Sequence, residues 1–146
     1  MANEGSCTFK KSRLVRDGIT RVERVWTCTA SNSTGNLGSA SAALITGTDY
    51  DEYIVSGLIR WAEIVPATGG DAPTAITTCK MNPTDDSNID YLGGMGATAS
   101  VTLSTYRMPL DAANGAPMEI ANRKITPVAT GLGNSKKITI RIVSDR

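Results

Sequence analysis

The chain has 146 residues, with 15 basic and 14 acidic side chains, three cysteines and no histidine. A net charge of +1 lacks the basic excess that phosphate binding through bulk charge requires, and the missing histidine excludes Ser-His-Asp and Cys-His catalysis. Three scattered cysteines also fall short of the four Cys or His ligands of a structural zinc site.

This length predicts one domain over residues 1–146, large enough to bury roughly 68–70% of its unfolded surface. Aromatics make up only 5% of the chain, so Val, Ile, Leu and Ala must build most of the core. The opening MANEGSC has neither the basic start nor the apolar run of an export signal, so synthesis in the cytoplasm is expected. The apolar runs fall well below the ~20 residues that span a bilayer, and no membrane partner is expected.

In chain order, SCTFKKSRLVRD reads as a strand that turns at Asp17-Gly18, a strong hairpin signal. The returning strand, ITRVERVWTCTA, places Val22, Trp26 and Cys28 on one face and Arg21 and Glu23 on the other. Residues 31–48 are small and polar and favour loop or edge strand; within them ASAALIT suits a short strand or a helical turn. YIVSGLIRWAEIV, residues 53–65, reads as a buried strand closed by Pro66, with Gly57 marking a bulge or bend. TAITTCKMN is the next strand, ended by Pro83. ATASVTLSTYR, 97–107, suits a strand or a short helix, and PLDAANGAP is irregular. EIANRKITPVATGLGN reads as a strand interrupted near Pro127, which points to an edge position or a bulge. The last strand is the clearest: KKITIRIVS puts Ile138, Ile140 and Ile142 on one face and Lys137, Thr139 and Arg141 on the other. The fold class is therefore all-β: one antiparallel β-sandwich, jelly-roll-like, with seven or eight short strands and long loops.

Few motifs carry chemistry. TGLGNSKK, 130–137, lacks the spacing of a phosphate loop and reads as a hairpin turn. A Ser-Lys dyad stays open, although nothing points to one. Two acidic clusters, Asp49, Asp51 and Glu52, and Asp85, Asp86 and Asp90, hold oxygen ligands suited to calcium or paired carboxylates suited to glycoside hydrolysis. Neither matches an EF-hand, and solvated turns explain both. Trp26 and Trp61 read as core residues. Cys7, Cys28 and Cys79 fit buried packing residues. Cys28 and Cys79 would pair inside if their strands adjoin, while Cys7, near a terminus, would reach another chain.

From residue 54 onward the order of segments is informative. A strand with an internal glycine, IVSGLIRWAEIVP, leads to the loop ATGGDAPT and an alternating strand, AITTCKMNP. An acidic loop ending in a glycine pair, TDDSNIDYLGG, follows, and TGLGNSKKITIRIVS closes the series; VWTCTASNSTG upstream also fits. This series resembles tailed-phage virion proteins of similar size, with Ile76 and Cys79 where the pattern has an aromatic. The resemblance implies a structural protein, a decoration or cement protein bound to the capsid shell. Its expected partners are the major capsid protein and its own copies, as a trimer, with no cofactor, metal or nucleic acid. It further implies that Thr68, Gly69, Gly70, Asp71, Ala72, Pro73 and Thr74 form an inter-subunit loop. A virion meets an oxidising medium, so the cysteines become candidate assembly thiols. The alternatives are a neck, tail or fibre module, and a carbohydrate-binding sandwich with Trp61 or Tyr53 as its platform.

Overall fold

A computed structural model describes residues 5–38, 44–46, 54–83, 88–111 and 113–145. The first hairpin forms as its turn residues require. Asp17 and Gly18 both take positive φ, 54° and 77°, the two-residue geometry whose twist matches that of paired strands. β1 (Ser6–Arg16) and β2 (Ile19–Thr29) pair along their whole length, from Ser6↔Thr29 to Arg16↔Ile19. The other strands are β3 (Leu44–Thr46), β4 (Ile54–Pro66), β5 (Thr78–Pro83), β6 (Thr105–Arg107), β7 (Glu119–Thr130) and β8 (Lys137–Asp145).

Hydrogen bonding runs through the order β3-β1-β2-β8-β4-β7-β5, with β6 on the other edge of β4. Every pairing is antiparallel except β1 with β3. Among the described residues, four of the eight strands are long, from 11 residues in β1 and β2 to 13 in β4, where uniformly short strands were expected.

The length of β4 has a structural use. Its first part, Ile54–Leu58, pairs with β7, and its second part, Ile59–Pro66, pairs with β8. The change of partner falls beside a register shift at Gly57, whose φ of 97° is open to glycine and strained for other residues. The predicted bulge is therefore the corner at which the sheet folds over. A single core joins Trp26 and Cys28 of β2, Ile138, Ile140 and Ile142 of β8 and Ile64 of β4 to Cys79 and Met81 of β5 and Ile125 and Ala129 of β7. The architecture is sandwich-like.

Pro127 lies inside β7 without breaking it. Ala129 exchanges both backbone hydrogen bonds with Leu37, so its N–H points away from β5. Residue 127 shares that direction. Its missing donor faces the gap between the β4 ladder, which ends at Lys124, and the bridge at Leu37. The proline occupies a locally open edge, where the missing N–H forfeits no ladder bond. The expected strand or short helix over 97–107 is mostly irregular: a 3₁₀ turn at Met95–Thr98 ends within it, residues 99–104 form neither element, and the three-residue β6 closes it.

Candidate interaction surface

The loop between β4 and β5 is braced from below and exposed above. Gly69–Asp71 form a 3₁₀ turn, and Thr68, Gly69, Gly70 and Asp71 are exposed, while Pro73 is buried. Thr74 donates its backbone N–H and its hydroxyl to the Leu132 carbonyl, at 2.8 and 3.0 Å. Lys136 Nζ donates to the Gly70 carbonyl at 2.6 Å, and Lys137 Nζ lies 3.4 Å from the Asp71 carboxylate. Both lysines of TGLGNSKK thus hold the neighbouring loop; the segment connects β7 to β8 but is not the expected hairpin turn, because β4 lies between those two strands.

The acidic residues divide. Asp90 is a loop organiser: its Oδ1 accepts the N–H groups of Met81 and Leu92, and its Oδ2 accepts that of Gly94, at 2.9–3.1 Å. A carboxylate bound in this way stabilises its own turn, in keeping with the solvated-turn reading. Asp49, Asp51, Glu52, Asp85, Asp86 and Tyr53 lie outside the described residues.

The tryptophans divide as well. Trp26 is fully buried, with the Phe9 ring 5.2 Å away. Trp61 is a correction to the core reading: it lies on the opposite, outer face of β4, half-buried. The Arg21 guanidinium lies 5.0 Å over the Trp61 ring, and Tyr106 of β6 is 6.4 Å away. The stacked guanidinium occupies ring surface that a sugar platform would need.

Around Trp61 the outer face carries two ionic rows absent from the sequence reading. Arg141 bridges Glu23 and Glu63 at 3.0 and 3.4 Å, tying β2, β8 and β4 together. Asp145 contacts Arg60 at 2.6 Å and Arg21 at 3.6 Å. The hydrogen bond from Arg60, reinforced by the charges of Arg60 and Arg21, holds the Asp145 carboxyl below its ordinary range. Arg24 was also missed, although it shares the parity of Val22 and Trp26. It is buried and donates from Nη1 to Ser144 Oγ at 3.0 Å.

All three cysteines are buried, at 0–1% exposure, with no disulfide between them. The strands place Cys7 opposite Cys28, not Cys28 opposite Cys79, and Cys7 faces the core, so the expected reach of Cys7 to another chain does not fit the folded protomer. Burial, and then the adjacent Cys7, push the Cys28 thiol well up. Burial, followed by Asp90 and Cys7, pushes Cys79 up to about 12.

Among the described residues, the turn end of the β1–β2 hairpin runs two residues past β8, Ile19 and Thr20 of β2. β8 reaches β2 only as far as Arg21, and β3 covers β1 only at Ser6–Thr8. Around this turn end Leu14, Val15 and Ile19 are exposed, at 42%, 66% and 54%. Lys10, Lys11, Arg13 and Arg16 on β1 are also exposed. At this turn end, Leu14, Ile19, Trp61 and Val143 line a groove of about 310 Å³ together with the charged Arg16, Asp17 and Arg21.

Comparison with protein-family models, curated proteins and solved structures finds no match to this chain.

Proposed function

We propose that this protein is a structural component that works by packing against other protein subunits, and that it decorates the capsid shell of a tailed phage. One observation carries the packing part: the turn end of the first hairpin exposes three large apolar side chains beside a groove of mixed apolar and charged lining. Such surface is unfavourable in water and gains free energy when a partner covers it. Trp61, Tyr106 and Arg21, at or near the groove, are residue types that dominate binding energy at interfaces. The capsid part rests on the resemblance of residues 54–94 and 130–144, with 25–35 upstream. It makes the major capsid protein the partner, a trimer of this chain the bound form, the virion its location and the loop Thr68–Thr74 a second contact. The non-enzymatic part draws support from Asp90, whose carboxylate is occupied by backbone donors, and from the buried thiols.

The test is quantitative mass spectrometry of purified phage particles assembled in cells that produce this chain. A copy number matching the shell lattice supports the proposal. A few copies per particle favour a neck, tail or fibre module, and absence from particles sinks the virion reading. Val15→Asp with Ile19→Asp should fold normally, because both sites are exposed, yet lower incorporation by roughly tenfold or more. Unchanged incorporation would remove this turn end from the interface.

A further inference from the structure

We propose that Cys7 and Cys28 are a disulfide site that joins the two strands of the β1–β2 hairpin under oxidising conditions and leaves Cys79 a thiol. The two residues are direct partners in the antiparallel ladder. Directly opposed Cα atoms in such a ladder lie about 4.5–5.5 Å apart, within the span a disulfide bridges. Their sulfurs are already 2.9 Å apart, with Cys7 Sγ donating to Cys28 Sγ. Bond formation therefore needs side-chain adjustment without strand movement. Cys79 stands on β5, where its ladder partner is Ala129. It approaches the pair across the core, not along the hairpin.

The chemistry is thiol–disulfide exchange with a small disulfide such as oxidised glutathione. The thiolate of one cysteine attacks the oxidant, forms a mixed disulfide and releases one reduced thiol. The second thiolate then attacks the protein sulfur of that mixed disulfide and releases the other. Two protein thiols are oxidised, one small disulfide is reduced to two thiols, and their protons balance. Both cysteines are at most 1% exposed, so the closed fold shields them from the oxidant. Exchange proceeds from the unfolded chain or an opened hairpin, and refolding then buries the bond away from reductants.

The test is refolding of the reduced, denatured protein in buffer containing excess oxidised glutathione, followed by alkylation under denaturing conditions and peptide mapping. The expected product has lost two of its three alkylation sites and the mass of two hydrogens, with the peptide holding Cys7 linked to the peptide holding Cys28. Cys79→Ala should give the same link, and Cys7→Ser should lose the intramolecular bond. Three alkylatable thiols, a link through Cys79 in the native sequence, or an undiminished bond in Cys7→Ser would each overturn the proposal.

Discussion

Ile140 is fully buried in the middle of β8 and has only core neighbours on its face. Ile140→Asp would place an unpaired carboxylate in that core, at a cost of about 4 kcal/mol or more, a large part of the 5–15 kcal/mol that holds a domain folded. Urea denaturation should show a largely unfolded or strongly weakened variant, and a midpoint close to the parent's would contradict the face assignment. Asp145 behaves differently because its effect depends on pH. Its carboxyl is held below the ordinary value by Arg60 and Arg21, so the folded state favours the charged form. That contribution is fully present above the unfolded pKa, near 3.8, and is lost as pH falls through the lower folded value. Asp145→Asn should therefore lower the thermal midpoint modestly at pH 7, and the gap to the parent should narrow and close as pH falls through the lowered folded value. A gap that persists at low pH would mean that the residue acts through packing.

Among the elements, β4 carries the most consequence. It links β8 to β7, and the exchange occurs where Gly57 takes a φ of 97°. An L side chain there is strained, so Gly57→Ala should destabilise the protein by about 1–3 kcal/mol, read from chemical denaturation. A neutral result would move the corner elsewhere, the nearest candidate being the second irregularity between Ile59 and Trp61. The bulge was legible in the sequence because an isolated glycine in an apolar strand has few other uses. The position of Pro127 was legible in the same way, as a residue tolerated only where a ladder bond is absent. Which edge stayed open was not legible, because it depends on where β4 stops and where Leu37 arrives.

Across the whole molecule, the outer face and the core show how far local pattern reaches. Alternation in β2 and β8 identified Val22, Trp26, Cys28, Ile138, Ile140 and Ile142 as inward-facing, and all six are buried. The turn at Asp17-Gly18 fixed the first hairpin and, through it, the register that sets Cys7 opposite Cys28. These features rest on a period of two and on turn stereochemistry, both of which act within a few residues. Only the tertiary structure decided that β8 lies between β2 and β4, that Arg141 would meet Glu23 and Glu63, and that Trp61 would stack under Arg21 on an open face. It also set Cys79 against the hairpin thiols from across the core and left the turn end of the hairpin exposed. Those outcomes depend on which distant strands pair. Strand pairing is settled by the joint burial of one core and by the closure of long loops, and neither is encoded in any single stretch of the chain.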